Sequence, residues 1–398
     1  MRSIVVIAFI VTLLGCSTSP SPILPPKQLE AVQNAFVINR TWTTSIGDGA
    51  SDKYLRLKPV LADGILYSVD HLGTVRAFDV KRRDVIWEAV FNTPAGSGIT
   101  LHGEQLYFGT SKGQLIALAR ETGKEIWRSQ LSSEVLATPA VAKGLVVVRC
   151  VNGALYGLNQ ADGSKAWMTQ EITPSLTLRG TSQPVVVGDL ILSAYDNGYL
   201  LAQNLQTGNV IWRATIATPN GRNALERLVD IDATPVVIDD VVYTVAFQGK
   251  LAALQLGSGQ VLWARDIDSY IDIAVDAYRI YMIDSDGLLW AMDRSNGATL
   301  WKQDALLRRG LTAPILHDSY VIVGDFNGYL HWMSRDSGKL VARVHLDDDQ
   351  YTSPSLDESE DLLFPKSSDL LVQPIIDGDM LIAMNRYGYT EAFDITYP

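Results

Sequence analysis

The sequence predicts an all-β fold, an eight-bladed β-propeller of four-stranded antiparallel blades whose ring is closed by the N-terminal strand. Three observations support this prediction. A Gly and Trp motif recurs at intervals of 38 to 60 residues, each repeat holds four short strand-like stretches, and the two ends of the chain complete each other. Repeats of about 40–45 residues with four strands each are typical of propeller blades.

The repeated unit reads Gly-x-apolar-x-Ala, with a second Gly ten residues after the first and a Trp four residues later. Its first Gly occurs at Gly73, Gly113, Gly153, Gly198, Gly249, Gly287, Gly328 and Gly388. The matching Trp residues are Trp87, Trp127, Trp167, Trp212, Trp263 and Trp301, and the seventh unit has Ala342 instead. A large flat ring fills a gap between sheets well, so we expect each Trp to pack between neighbouring blades.

Each unit also divides into four short strands. In the first unit they follow Pro59, and the later three cover Ile65–Val69, Thr74–Asp79 and Val85–Val90. Apolar and polar residues alternate within these stretches, and Gly and Asp turns separate them, which is typical of hairpins. No long segment has a sustained helical period, so the pattern favours strands throughout.

The two chain ends predict how the ring closes. The eighth unit contains Gly388 but reaches Pro398 before a fourth strand. A strand with its own Trp lies at the other end, in Val37–Ser45 with Trp42. We therefore expect the N-terminal strand to complete the last blade, which leaves no long exposed sheet edge.

The N-terminus resembles a bacterial lipoprotein signal. One cation precedes an apolar run from Ile4 to Leu14, which is too short to span a bilayer comfortably and fits a secretory signal. The run ends in Leu-Leu-Gly-Cys, which predicts lipidation of Cys16, and Ser17 favours transport to the outer membrane over retention at the inner one. We expect a signal peptide over residues 1–15, a lipidated Cys and Pro-rich tether over 16–39, and the propeller over 40–398.

Composition excludes several classes of site. The formal net charge is −11 at pH 7, which argues against binding to nucleic acid. Cys16 and Cys150 are the two cysteines, and the five histidines are scattered, so we expect no metal site. Cys150 lies in an apolar strand and is expected to be a buried thiol. Gly109–Gly113 matches a nucleophile elbow but lies in a predicted hairpin, so no catalytic residue is assigned.

Two consecutive connections between blades are unusually long. From the Trp of one unit to the Pro that opens the next, Trp127 to Pro139 is 12 residues, whereas Trp167 to Pro184 is 17 and Trp212 to Pro235 is 23. Binding residues gather on loops held by a rigid scaffold. The candidates for partner binding are Leu176, Leu178, Arg179, Asp230 and Asp232. The leucines and the arginine suit an apolar anchor with a charged clamp, and alternating carboxylates share one side of an extended segment.

An internal role for these residues stays open. The carboxylates could satisfy backbone groups of the connection, and the leucines could pack on the fourth blade. Arg179 could pair with one of the aspartates inside the protein and hold both connections in shape.

The repeat resembles that of the PQQ-type propellers, which include quinoprotein dehydrogenases that bind PQQ beside calcium. The adjacent Cys pair typical of the alcohol-oxidising members is missing here. The Leu-Leu-Gly-Cys lipoprotein signal, the Pro-rich tether and a lone eight-bladed ring together resemble the BamB family of the outer-membrane β-barrel assembly (Bam) machinery. This resemblance implies a non-catalytic scaffold without a cofactor, held in the outer membrane by its lipid and facing the periplasm.

The same resemblance implies the partner. In that family, matching Leu-x-Leu-Arg and Asp-x-Asp segments contact the POTRA domains of BamA, so the five candidate residues above are the expected contacts. Two alternatives are a PQQ- and calcium-dependent dehydrogenase and a periplasmic propeller that binds polysaccharide. The long acidic stretch over residues 347–361 is expected to be a solvated surface loop.

Overall fold

The structure is a computed structural model that describes residues 24–178, 181–346 and 369–397. Cys16, Arg179 and the acidic stretch 347–361 lie outside the described residues. Over the described ranges the chain forms eight antiparallel sheets of four strands each. The predicted eight-bladed propeller is therefore confirmed. None of the described segments forms a helix with the length and apolar character needed to cross a membrane.

The strands follow the repeats in chain order. The first is β1 (Val37–Ser45), which precedes blade 1. Blades 1 to 3 contain β2 (Val60–Ala62), β3 (Ile65–Val69), β4 (Thr74–Asp79) and β5 (Asp84–Val90); β6 (Ala95–His102), β7 (Gln105–Thr110), β8 (Gln114–Ala119) and β9 (Glu125–Gln130); and β10 (Ala140–Ala142), β11 (Leu145–Arg149), β12 (Ala154–Asn159) and β13 (Lys165–Gln170).

Blades 4 to 6 contain β14 (Val185–Val187), β15 (Leu190–Ala194), β16 (Tyr199–Asn204) and β17 (Val210–Thr215); β18 (Val236–Ile238), β19 (Val241–Val245), β20 (Leu251–Gln255) and β21 (Val261–Arg265); and β22 (Ala274–Val275), β23 (Arg279–Ile283), β24 (Leu289–Asp293) and β25 (Thr299–Gln303). Blade 7 contains β26 (Ile315–His317), β27 (Tyr320–Gly324), β28 (Tyr329–Ser334) and β29 (Leu340–His345), and blade 8 contains β30 (Ile375–Asp377), β31 (Met380–Met384) and β32 (Tyr389–Thr396).

The ring closes as the chain ends predict. Strand β1 pairs antiparallel with β32, and Trp42 lies opposite Ala392. The sheet order of blade 8 is therefore β1-β32-β31-β30, with the outer strand supplied by the N-terminal end. Every blade thus has four strands, although the eighth repeat contains only three.

The constant spacing of Gly and Trp in the repeat arises from contacts between neighbouring blades. The Trp127 ring donates its indole N–H to the carbonyl of Gln160 in the next blade, at 2.9 Å. Its ring also covers Gly163, where a Cβ atom would lie 2.5 Å from a ring carbon. Since no side chain fits there and the φ angle is positive, only Gly suits this turn. The expected packing of Trp between blades is confirmed.

Blade 7 carries its Trp on the neighbouring strand. In the other blades the Trp of the outer strand faces a small residue of the third strand, as Trp127 faces Ala117. In blade 7 the pair is reversed, because Trp332 of β28 faces Ala342 of β29. Trp332 is completely buried and packs against Phe36, with ring centroids 6.2 Å apart. The missing Trp is thus replaced across the sheet rather than lost.

The alternating strand directions give the ring two faces. The connections between blades and the turns between second and third strands lie on one face, as the contact of Ser111 N–H with the Pro94 carbonyl shows. We call this the loop face. The turns between first and second strands and between third and fourth strands lie on the opposite face. Both long connections, residues 171–184 and 216–235, therefore open on the loop face.

Candidate functional site

The two long connections are joined to each other on the loop face. The backbone N–H of Leu178 donates to Oδ2 of Asp230 at 3.0 Å. Further along, the Ser182 hydroxyl donates to the Ala233 carbonyl at 3.1 Å. The described parts of residues 171–184 therefore contact residues 216–235 at two points, and the sequence could give the length of each connection but not this contact. We call the surface of these two connections the joined loops.

The second connection is anchored at its tip and along its return leg. Its tip is a tight turn in which the Glu226 carboxylate accepts the Arg222 N–H at 2.7 Å. Its return leg forms an antiparallel bridge with blade 5, where Phe247 N–H donates to the Asp230 carbonyl at 2.7 Å. Val229 and Ile231 are buried in the core between blades 4 and 5. The connection is thus held by a turn at its tip and by an isolated bridge and buried side chains along its return leg.

Apolar side chains reach solvent on the joined loops. Leu176 is 38% exposed and Leu178 is half-buried. Ile172 and Leu225, which the sequence reasoning did not select, are 86% and 71% exposed. Large exposed apolar patches mark protein-contact surfaces, so these side chains make the joined loops the candidate contact surface. Both missed residues were visible as large apolar residues inside the long connections.

The two predicted carboxylates are buried beneath this surface. Asp230 is 0% exposed and Asp232 is 3% exposed. They share one side of an extended segment, as the alternation predicts, but that side faces the interior of the ring. Asp230 supports the Leu178 backbone, as described above. The internal role that the sequence left open is therefore seen for this residue.

Charged groups from other blades surround these carboxylates. The guanidinium of Arg149, from the end of β11, pairs with Asp196 in blade 4 and lies over the Tyr195 ring, 4.7 Å from its centroid. Burial, together with the carboxylates of Asp232 and Asp196, raises the pKa of Asp230. Burial also raises the pKa of Asp232, although the nearby Arg56 opposes the shift. Burial and the mutual repulsion of these carboxylates therefore favour their protonated forms.

The carboxylates do not match a calcium site of the kind that PQQ-type dehydrogenases use. Calcium takes six to eight oxygen ligands, with several carboxylates free to bind it. Here Asp196 is occupied by Arg149, and Asp230 by the Leu178 backbone. Across the described ranges, no group of three His, Cys, Asp or Glu side chains is arranged to hold a metal ion. The residues present therefore do not fit the calcium site of a PQQ-type dehydrogenase, and no catalytic step follows from them.

The structure also resolves two further predictions from the sequence, one by burial and one by the geometry of a hairpin. Cys150 is buried and free, and burial raises the pKa of its thiol to about 11. It is therefore the inert structural thiol expected. Gly109–Gly113 forms the turn between β7 and β8, where the Thr110 hydroxyl accepts the Gln114 N–H at 3.0 Å. This hairpin lacks the strand-to-helix turn that a nucleophile elbow requires.

The fold and the joined loops define a class of protein, the eight-bladed propellers built from PQQ-like repeats. Residues 71–303 match the family described as outer membrane protein assembly factor BamB. A BamB of Yersinia pestis is 36% identical over 96% of this chain and 95% of its own length. That of Escherichia coli is 36% identical over 85% of this chain and 89% of its own. The chain belongs to the BamB family.

Solved structures agree on the fold. The crystal structure of BamB from Moraxella catarrhalis aligns with a TM-score of 0.78, covering 90% of this chain and all of that one, at 22% identity. A quinohemoprotein alcohol dehydrogenase from Comamonas testosteroni aligns with a TM-score of 0.69 at 13% identity, covering 91% and 77%. At such identities the likeness reports the propeller and not an activity. The expected family is confirmed by the sequence relatives.

Proposed function

We propose that this chain is a non-catalytic scaffold lipoprotein of the Bam complex, which binds the POTRA domains of BamA and assists the folding and insertion of outer-membrane proteins. One observation carries the proposal: the two long connections are joined and present exposed apolar side chains on one face. Family membership supports it, because the relatives are named outer membrane protein assembly factors.

In this proposal the five predicted residues have two kinds of role. Leu176 and Leu178 are the apolar anchors, and Arg179 is the charged clamp beside them. Asp230 and Asp232 act from below, because both side chains are buried and Asp230 holds the Leu178 backbone. Interface energy concentrates in a few well-placed apolar and Arg residues, so a rigid support beneath them favours binding.

The anchor gives the scaffold its location. We propose that Cys16 carries the lipid, that the lipid holds the protein in the outer membrane, and that the propeller faces the periplasm. Confining two partners to one membrane surface raises their effective concentration without any new contact. A modest surface such as the joined loops is then sufficient to keep the complex together.

Detergent co-purification tests the proposal. A tagged chain is isolated from outer membranes, and the accompanying proteins are identified. We expect BamA with the wild type, much less BamA with Leu176→Glu, and unchanged BamA with Ile126→Glu. Ile126 is the matched control, because it is 43% exposed on the outer strand of blade 2, away from the joined loops.

The outcomes separate the function from the site. BamA with all three proteins would retain the complex but contradict the joined loops as the contact. The absence of BamA from every preparation, with other partners or none, would contradict the proposed function. An Arg179→Ala/Asp230→Ala variant that keeps the fold is expected to behave like Leu176→Glu.

A further inference from the structure

The chain that precedes the first strand is docked on the ring. Residues 24–36 have no regular secondary structure, yet they lie against blades 6 and 7. At one end, Lys27 N–H donates to the Leu307 carbonyl at 3.0 Å, and its ammonium pairs with Asp304 at 2.9 Å. Both partners belong to the connection after β25, which lies on the loop face. We call residues 24–36 the strap.

The strap then descends along the outer rim of blade 7. Arg343 of β29 donates to the Glu30 carbonyl at 2.8 Å, and its backbone N–H donates to the Asn34 side chain at 2.9 Å. Ala35 N–H donates to the carbonyl of Val341, near the start of β29 and the opposite face. Phe36 follows and is buried between blades 7 and 8.

A buried polar network inside blade 7 supports the strap. Asp325 accepts from the Arg309 Nε at 2.7 Å and lies 3.0 Å from Nε2 of His331. Arg343 Nε donates to Nδ1 of the same imidazole at 3.0 Å, so the ring is neutral with its proton on Nε2. Burial lowers the pKa of His331, which agrees with this state. Arg309 also reaches the Lys27 carbonyl at 3.3 Å, so both arginines of the network hold the strap.

The strap decides where the lipid-bearing end leaves the ring. Its N-terminal end is at the loop face, and Leu24 is only eight positions after Cys16. Even fully extended, that length spans about 30 Å. If the ring were instead held only from Phe36, twenty residues would span about 70 Å from the opposite face, and either face could turn to the membrane.

We propose that the strap orients the propeller, so that its loop face, with the joined loops, is turned toward the lipid bilayer. This inference rests on the proposed lipidation of Cys16. The partner is the lipid surface itself, which the short leash keeps within about 30 Å of the loop face. The joined loops are thereby presented to a partner that projects from the same membrane.

Energy transfer to labelled lipids tests the orientation. The full lipidated chain is reconstituted into vesicles whose headgroups carry an acceptor dye. A donor dye is placed at Lys112→Cys, in a loop-face turn, or at Glu121→Cys, in the opposite-face turn of the same blade. Both positions are exposed, and Cys150 is buried and does not compete for the label. Strand β8 separates the two positions by about 20 Å.

We expect more efficient transfer from residue 112 than from residue 121. Equal transfer, or the reverse order, would overturn the orientation while leaving the anchor intact. Protein that fails to sediment with the vesicles would contradict the lipid anchor, and the orientation with it. BamA binding is absent from this assay, so its outcome is independent of the proposed partner.

A strap-release variant tests whether the contacts of the strap set the orientation. Lys27→Ala combined with Asn34→Ala removes an ion pair and two hydrogen bonds at residues outside the core, so the ring is expected to fold. The difference in transfer between positions 112 and 121 should shrink. Amide exchange at Lys27 and Ala35 should be slow in the wild type and faster in the variant. An unchanged difference in transfer, with exchange accelerated, would show that the strap does not set the orientation.

Discussion

Replacing Asp230 tests how the joined loops are held. In Asp230→Ala the Leu178 N–H loses its acceptor at 3.0 Å. Leaving a buried donor unsatisfied costs about 1–3 kcal/mol. Because Leu178 is only half-buried and water can reach it in part, we expect a loss near the lower end of this range. Asp230→Asn keeps an oxygen in the same place, so we expect it to retain the bond and nearly all of the stability.

The pH dependence separates the two variants further. Burial raises the pKa of Asp230 in the folded state above its value in the unfolded chain. Between these two values the folded state holds a proton that the unfolded state has released, so the stability falls as pH rises through that window. Below the unfolded pKa, near pH 4, both states are protonated, so the pH dependence is absent and the stability is greatest. Asn does not titrate, so the stability of Asp230→Asn should fall less steeply with pH.

Urea unfolding at about pH 5 and about pH 8 measures both effects. Asp230→Ala should be less stable than the wild type at about pH 5, and this deficit should shrink at about pH 8 because Ala does not titrate. Amide exchange at Leu178 should accelerate in the variant. An alanine variant with wild-type stability and wild-type exchange would refute the view that Asp230 joins the two connections. An asparagine variant with the full pH dependence would refute the raised pKa.

Partner binding adds a further distinction. A buried Asp that only positions the loop should be replaceable by Asn without loss of BamA in co-purification, whereas Ala should reduce it. A charged contact with the partner would be lost in both variants. Loss of binding in the asparagine variant would therefore contradict the positioning role.

Three other outcomes follow from the packing of the ring. Trp212→Phe removes the indole N–H that donates to the Leu256 carbonyl at 2.7 Å, so urea unfolding should show a loss of about 1–3 kcal/mol, and an unchanged midpoint would contradict the bond's role. Ala342→Trp forces a second ring opposite Trp332 and should cost about 1–3 kcal/mol or prevent folding, so a stabilised variant would show that blade 7 has room. The Cys150 thiol should react with a disulfide reagent at about pH 8 only after denaturation, and rapid reaction of the folded protein would contradict its burial.

The repeat made the fold predictable because its residues report contacts between blades. The Trp side chain of one repeat packs on the Gly turn of the next blade, as Trp127 does on Gly163. Complementary ends then fixed the closing strand. The repeat does not predict the packing of blade 7, because the reversal of Trp332 and Ala342 becomes visible only when the register of β28 and β29 is known.

The sequence predicted where the candidate site lies but not which of its side chains are buried. The lengths of the two connections indicated which loops to examine, and alternation placed Asp230 and Asp232 on one side of the chain. Whether that side meets solvent depends on neighbouring blades, which supply Arg149 and Asp196 from distant parts of the sequence. The strap was invisible for a similar reason, because prolines predict the absence of regular structure and not the surface on which a segment lies.

Photocrosslinking in cells tests directly whether the joined loops contact BamA. A photoreactive residue is placed at position 176 of the joined loops or at the matched exposed position 126, and its covalent partner is identified. We expect a crosslink to BamA from position 176 and none from position 126. A crosslink to BamA from position 126 alone, or to unrelated proteins from position 176, would contradict this contact.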